Sequence, residues 1–183
     1  MNKAESVLRK IEKRAYNEFL PMVGPQKGQV LAEEIRKAKP KCVLEVGTLI
    51  CYSAILMGKE LDSNARLITI EIHADEAQSA EKNIRKASIP PKVEVITGDA
   101  IQVIPLLKVV FDFVFIDAEK KEYLDYLQLA ENKLYKVTVI VADNAGVFAN
   151  QMADYLDYVR ASGKYSSKYA PVGVYGLEIT VIL

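Results

Sequence analysis

The sequence contains no tryptophan, one histidine and two cysteines among its 183 residues. Two cysteines are too few for a disulfide framework, and Cys42 and Cys51 lack the spacing of zinc ligands. With a single histidine, His73, and no serine or cysteine in an elbow motif, a catalytic triad is not expected. No apolar run approaches the roughly 18 residues of a membrane span, and the N-terminus lacks the apolar stretch of a signal peptide. These absences predict a cytoplasmic protein in a reducing compartment, without a membrane partner.

An excess of charge is also lacking, because 24 lysines and arginines balance 24 aspartates and glutamates. A polyanionic partner is therefore not expected, and the fairly basic stretch 81–92 has no interleaved aromatic residues to form a nucleic-acid surface. Half of the residues are hydrophobic, which is enough for a sizeable core. The length, with no repeat or domain-sized linker, predicts one domain over residues 1–183.

The hydrophobic pattern predicts strands and helices that alternate along most of the chain. Two amphipathic helices are predicted first, over 4–20 and 26–39. Five strands follow at 42–46, 66–71, 92–96, 110–116 and 137–142, with helices between them and a last helix around 152–159. Two final strands, at 165–170 and 174–182, are too close for a crossover helix and must be antiparallel. The predicted fold class is α/β, a doubly wound and mostly parallel sheet of seven strands with helices on both faces and an antiparallel C-terminal hairpin.

Polar residues or glycines follow each of the five alternating strands. Ligands of doubly wound sheets bind beyond the carboxyl ends of the strands, so these residues are predicted to share one site. In strand order they are Gly47, Thr48 and Ser53; Glu71, Ile72 and His73; Gly98, Asp99 and Ala100; Asp117 to Lys120; and Asp143 with Asn144.

Glu71 stands 24 positions after Gly47, at the end of the next strand. A carboxylate there can accept hydrogen bonds from the ribose of an adenosine ligand. Alternatively, Glu71 is a solvated acidic residue at a strand end and Gly47 is an ordinary turn glycine. A strand, a glycine turn and a downstream acidic residue would also fit an NAD-dependent dehydrogenase. The G-x-G-x-x-G pattern of such enzymes is missing, which counts against this alternative.

Asp117, Asp143 and Asn144 follow adjacent strands and offer the oxygen ligands that Mg²⁺ prefers. Alternatively, Asp117 caps the next helix and Asp143 with Asn144 forms a turn. Lys120 begins a helix three residues after Asp117, where the helix end and a cation would both favour its neutral form as a general base. Alternatively, Lys120 is a solvated lysine in the charged run 119–122.

Several motifs in this order carry a family resemblance: V-L-E-V-G-T with Y-S-A, I-T-I-E, G-D-A, F-V-F-I-D-A-E-K-K and V-A-D-N. From about Met22 onward, the chain resembles the S-adenosylmethionine-dependent, metal-dependent O-methyltransferases, which include the catechol and caffeoyl-CoA enzymes. The segments 23–29 and 154–160 resemble the catechol enzyme most. The resemblance implies a Rossmann-like methyltransferase domain, with the helices of residues 1–39 covering the cofactor and substrate side.

The resemblance also implies roles at matching positions. It places Gly47 and Ser53 at the methionine end of the cofactor under Val23, Glu71 on the ribose, and Asp99 and Ala100 beside the adenine; Glu45, Ile72 and Asp117 complete the cofactor set. Mg²⁺, or another divalent cation, would be bound by Asp117, Asp143 and Asn144, with Lys120 as the general base. The expected partner is a small hydroxylated acceptor that chelates the metal, and the expected assembly is a monomer or homodimer.

Two alternatives stay open: a hydroxylated tRNA nucleoside as the acceptor, and an S-adenosylmethionine-binding protein with impaired catalysis. Four departures from the family pattern bear on them. Cys51 stands where the family has glycine, Tyr169 replaces a substrate-binding carboxylate, Glu119 replaces a tryptophan, and Tyr175 replaces the aspartate of a D-G-L motif. The cofactor and metal sites are thus expected to be retained but the aromatic substrate clamp is not, which disfavours catechol itself.

Overall fold

The structure is a computed structural model that describes residues 2–183. It contains one seven-stranded sheet with helices on both faces. Its strands are β1 (Cys42–Val46), β2 (Arg66–Glu71), β3 (Lys92–Thr97), β4 (Phe111–Ile116), β5 (Leu134–Asp143), β6 (Tyr165–Ala170) and β7 (Leu177–Ile182). Its α-helices are α1 (Lys3–Asn17), α2 (Gly24–Ala38), α3 (Tyr52–Glu60), α4 (Ala74–Ala87), α5 (Ala100–Leu106), α6 (Tyr123–Ala130) and α7 (Ala153–Ala161).

The strand order is β3-β2-β1-β4-β5-β7-β6. The first five strands are parallel, while β7 pairs antiparallel with both β5 and β6. The predicted fold class is therefore confirmed. From β1 the chain builds outward to β3 and then returns to β4 on the other side of β1, so the strand order reverses between β1 and β4. A crevice opens at such a reversal, beyond the carboxyl ends of the strands.

The central strands read as continuous apolar runs because both of their faces are buried. On one face, Val43, Leu67 and Phe113 pack in a core with helices α1 to α4. On the other face, Leu44 and Val114 pack in a second core with α5, α6 and α7. Two filled cores hold the strand ends in fixed positions, as a site built from several strands requires.

Helix α1 ends earlier than the hydrophobic pattern predicts. Its buried stripe stops at Ile11, and Tyr16 and Phe19 are each 92% exposed. The amide of Glu18 closes the helix on the carbonyl of Arg14, and Glu18 itself is extended, so the chain leaves the helix there. The predicted helix over 4–20 was therefore too long at its C-terminal end, because the apolar spacing continues past the residues that contact the core.

Other boundaries differ near β5 and β7. The helix predicted between the fourth and fifth strands consists of α6 between two single 3₁₀ turns, and β5 begins at Leu134, three residues before the predicted start at 137. Strand β7 begins at Leu177, since Gly176 turns the chain with a φ of +58°. Asp99 caps α5, accepting a hydrogen bond from the amide of Ile101 at 2.9 Å. Among residues 2–183, none of the helices has the length and apolarity that a membrane crossing needs.

Candidate active site

The turn after β1 depends on Gly47, which has a φ of +96°. A Cβ atom at this position would collide with the carbonyl oxygen of Asp117 at the end of β4. The amide of Gly47 donates to Ile70 at 3.0 Å, and the amide of Asp117 donates to Val46 at 2.9 Å. Glycine therefore lets the ends of β1, β2 and β4 meet closely under the crevice.

Two residues of this turn adopt the left-handed conformation that side chains usually avoid, Leu49 at a φ of +49° and Cys51 at +72°. Each costs about 1–2 kcal/mol, and hydrogen bonds from the Leu49 amide to Glu71 and from the Cys51 amide to Thr48 help to offset that cost. The Cys51 side chain is fully buried in the core of α1 to α4. It therefore does not crowd the space above the turn.

Glu71, at the end of β2, is only 5% exposed, so it is not a solvated strand-end acid. One carboxylate oxygen accepts the amide of Leu49 at 2.7 Å, and the other accepts the amide of His73 at 3.0 Å. These two bonds fix the plane of the carboxylate. Because each oxygen has a second lone pair, the group can still accept hydrogen bonds from a ligand.

A cavity of about 480 Å³ lies above the turn. Every residue predicted to contact the cofactor lines this cavity except Glu45, which lies behind its wall. The predicted residues that line it are Val23, Gly47, Ser53, Glu71, Ile72, Asp99, Ala100 and Asp117. His73 also lines the cavity, as expected for a loop residue after β2.

Glu45 is completely buried in β1. Its Oε2 atom accepts the hydroxyl of Thr69 at 2.6 Å, whereas Oε1 has no hydrogen-bond partner anywhere in residues 2–183. Burial raises the pKa of Glu45 to about 7, although the nearby hydroxyl groups of Ser53 and Thr69 oppose the shift. A buried acceptor without a partner, next to a cavity, is a place where a ligand donor would be stabilised.

Asp117, Asp143 and Asn144 come together as predicted, at the ends of β4 and β5. The Asn144 side-chain amide donates to Oδ1 of Asp117 at 3.2 Å, and the Asn144 backbone amide donates to Oδ1 of Asp143 at 2.7 Å. Asp117 is not a helix cap, since Glu119 caps the 3₁₀ turn that follows. Burial and the neighbouring Asp117 raise the pKa of Asp143.

Lys120 lies beside this cluster with a side chain that is 18% exposed. Its Nζ atom is 3.4 Å from Oδ1 of Asp117 and donates to the carbonyl of Ala118 at 2.8 Å. The ring of Tyr123 lies below it, with its centroid 5.4 Å from Nζ. Lys120 is therefore held in place and is not a freely solvated residue of the charged run 119–122.

The sequence interpretation missed Lys27, in the first turns of α2. Its Nζ atom lies 2.6 Å from Oδ2 of Asp143 and 3.2 Å from Oδ1 of Asn144, and the residue is only 8% exposed. The one available signal was a lysine inside the segment 23–29, which resembles the catechol enzyme, but nothing in the spacing pointed to a partner 116 positions away.

A second cavity, of about 940 Å³, opens on the other side of the cluster. Phe19, Phe148 and Tyr175 line it, and the rings of Phe148 and Tyr175 pack with their centroids 6.5 Å apart. Tyr169 lies outside this cavity, with its ring against Gly176. Aromatic residues thus line this cavity, while Glu119, at the position of the family's tryptophan, is also part of its wall.

The two cavities meet along two shared stretches of wall, residues 21–23 before α2 and residues 117–120 after β4. Lys120 and Asp117 therefore border both spaces. Glu71, His73 and Glu76 form another group of possible ligands, with atoms within 4.8 Å of one another, but none of the three lines the second cavity.

A family profile described as O-methyltransferase matches residues 2–160. The chain belongs to the O-methyltransferase family. Catechol O-methyltransferase B of Danio rerio is 38% identical over 161 residues, which is 84% of this chain and 60% of the relative. Catechol O-methyltransferase of Niastella koreensis is 40% identical over 126 residues, 67% of this chain and 57% of the relative. The chain thus spans about 60% of the length of these relatives.

Solved structures of this O-methyltransferase family have the same fold. An O-methyltransferase from Bacillus cereus, solved in complex with SAH, superposes with a TM-score of 0.86 at 29% identity. The match covers 97% of this chain and 91% of that protein. The family and the fold implied by the sequence motifs are therefore both confirmed.

Proposed function

We propose that this chain transfers the methyl group of S-adenosylmethionine to a hydroxyl of a metal-chelating small molecule, with Lys120 as general base. The observation that carries the proposal is the meeting of the two cavities at Asp117 and Lys120. A transfer reaction needs a donor and an acceptor that face each other across a short distance. The two adjoining cavities supply that arrangement, with the candidate base at their boundary.

The first cavity suits S-adenosylmethionine in its polar chemistry. Glu71 presents a fixed carboxylate for the two ribose hydroxyls, and Asp99 and Ala100 border the far end, where the adenine would lie. Ser53 lines the end of the cavity where the methionine portion would lie, and the buried carboxyl group of Glu45 lies behind that wall. Val23 would close over that end from the loop before α2.

The donor set at the ends of β4 and β5 suits a hard divalent cation. Two carboxylates and an amide oxygen, from Asp117, Asp143 and Asn144, match the ligands that Mg²⁺ takes in proteins and leave positions for the acceptor. Bound S-adenosylmethionine would supply the methyl group, and a bound divalent cation would make the acceptor hydroxyl more acidic.

The chain's own part is to position the acceptor and accept a proton. Lys120, in its neutral form, receives the hydroxyl proton at Nζ, since this atom borders the acceptor cavity and is held by the carbonyl of Ala118. Phe148 and Tyr175 give the acceptor apolar walls that keep water away from the reacting oxygen. Catalysis here rests on orientation and on the exclusion of water.

The second cavity favours a small acceptor over a tRNA nucleoside. Lys27 and Lys120 are the only basic residues among those that line it, and both are engaged with the acidic cluster. A nucleic acid would instead need a basic surface around the opening for its phosphates. The cytoplasmic location and the monomeric or homodimeric assembly remain predictions from the sequence.

The deciding experiment measures methyl transfer from isotopically labelled S-adenosylmethionine to catechols, other vicinal diols and total tRNA, with and without Mg²⁺. We expect transfer to a chelating diol that requires Mg²⁺. Lys120→Met should lower the rate at least about 100-fold, as expected for loss of a general base. Lys121→Met, an exposed neighbour, serves as the matched control and should keep the wild-type rate.

Three outcomes would contradict the proposal in different ways. If calorimetry detects no binding of S-adenosylmethionine, the proposed cofactor is wrong. If the cofactor binds but no acceptor is methylated, the alternative of a binding protein with impaired catalysis is supported. If Lys120→Met and Lys121→Met have equal rates, the general-base role is wrong even though the reaction stands.

A further inference from the structure

Lys27 occupies an unusual position for a lysine. It lies near the N-terminus of α2, where the helix dipole disfavours a positive charge, and the first turn has no acidic residue to compensate. The side chain is also buried, which adds a desolvation cost. Neither helix stability nor solvation explains the residue. The ion pair with Asp143 at 2.6 Å does.

Lys27 already binds the oxygens that a metal ion would need. Oδ1 of Asp143 accepts the backbone amide of Asn144, so Oδ2 is the freer oxygen, and Lys27 donates to it. Lys27 also donates to Oδ1 of Asn144, while Nδ2 of that amide faces Asp117. An ion that binds Asp143 and Asn144 through these oxygens must take them from the ammonium group.

The charges of the cluster lead to the same conclusion. Two carboxylates, Asp117 and Asp143, form ion pairs with two lysines, Lys27 and Lys120, so the formal charges within the cluster balance. A divalent cation would enter a neutral cluster and meet Lys27 at close range. The ring of Tyr175, with its centroid 5.0 Å from Nζ, offers a surface that can stabilise the ammonium once it is displaced.

We propose that Lys27 is a tethered cation that neutralises the metal-ligand cluster when no metal is bound, and that a divalent ion binds by displacing it. This inference rests on the proposed function, because it takes the cluster to be a metal site. Lys27 is then a positioning residue that keeps Asp143 and Asn144 in place and weakens the affinity of the site for metal. The affinity is thereby set by a residue outside the ligand set.

The test measures Mg²⁺ and Mn²⁺ affinity by calorimetry on the full chain without any methyl acceptor. Lys27→Met, which keeps the length of the side chain but removes its charge, should bind both ions about 10-fold more tightly than wild type. Lys27→Arg keeps the charge and should bind no more tightly than wild type. The matched control is Lys41→Met, since Lys41 forms an ion pair of the same 2.6 Å length with Asp62 on the surface.

Thermal unfolding supplies a second readout. In EDTA, Lys27→Met should unfold several degrees below wild type, because Asp143 is left buried without a counter-ion. Saturating Mg²⁺ should raise its unfolding temperature by more than it raises that of wild type. Lys27→Gln repeats both measurements if the methionine variant does not fold.

The possible outcomes separate this inference from the proposed function. Equal or weaker metal affinity in Lys27→Met, with wild type binding metal, would overturn only the role of Lys27. Absence of metal binding in both wild type and Lys27→Met would overturn the metal site itself and this inference with it. Tighter binding in Lys27→Met alone, with Lys41→Met unchanged, would support a tethered cation in competition with the metal.

Discussion

Asn144 donates a hydrogen bond from Nδ2 to Oδ1 of Asp117 at 3.2 Å, which joins the end of β5 to the end of β4. Asn144 has a φ of +67°, a left-handed conformation that asparagine tolerates better than most residues. The side-chain amide of Asn144 thus makes two hydrogen bonds within the cluster. Its nitrogen bonds to one carboxylate, while its oxygen accepts from Lys27.

Asn144→Asp tests this link, because it replaces the donor that faces Asp117 with a third carboxylate. In EDTA we expect a loss of about 2 kcal/mol, or roughly 4–8 °C in unfolding temperature, from a lost hydrogen bond and like-charge repulsion. Mg²⁺ should recover most of that loss, since a cation neutralises the added charge. Asn64→Asp, in the exposed turn before β2, should show neither effect in the same thermal scans. Equal loss with and without Mg²⁺ would count against a metal site at this position.

Glu71→Gln should weaken S-adenosylmethionine binding about 10- to 100-fold in calorimetry. The reason is that hydrogen bonds to a charged acceptor are worth about 1.5–3 kcal/mol, and the amide can accept through one atom only. Glu81→Gln, on the exposed face of α4, is the control and should bind normally. Unchanged affinity in Glu71→Gln would place the ribose elsewhere.

Glu45→Gln should become more stable relative to wild type as the pH rises from about 4.5 to about 7. Burial raises the pKa of Glu45 to about 7, so its ionisation destabilises the fold over this window and the cost is constant above it. The gain should be at most about 3 kcal/mol, and urea unfolding at several pH values measures it. If the difference in unfolding free energy between variant and wild type does not change with pH, the ionisation of Glu45 does not destabilise the fold.

Cys51 should resist alkylation in the folded protein. Burial raises the pKa of its thiol and removes it from solvent, so iodoacetamide meets neither a thiolate nor an open path. Mass spectrometry of native protein should find the Cys51 peptide unmodified, whereas protein unfolded in guanidinium should be modified at both cysteines. Rapid native modification of Cys51 would mean that the turn after β1 opens in solution.

Much of the fold was predictable because its strands are buried on both sides. The bounds of β1, β2 and β6 agree with their apolar or alternating patterns to the residue. The apolar pattern predicted the end of α1 less well, since helical spacing continues to Phe19 although contact with the core ends at Ile11. Periodicity records which residues are apolar, but not where the neighbouring element stops.

The candidate site was predictable where its residues follow strands, and not where they come from other elements. Asp117 and Asn144 were predicted to meet because parallel strands end at one edge of the sheet. Lys27 lies on a helix whose position over that edge is set by packing, so no spacing rule relates it to Asp143. The orientation of Cys51 was equally inaccessible, because its side-chain direction follows from a left-handed φ.

The separation of Lys27 and Asp143 by 116 positions has a consequence for how the chain acquires its final form. Helix α2 lies near the start of the chain. The ammonium group of Lys27 has no partner until β5 has been synthesised and added to the sheet. We therefore expect the ion pair to close only after β5 has joined the sheet, so a chain interrupted before β5 would lack the pair.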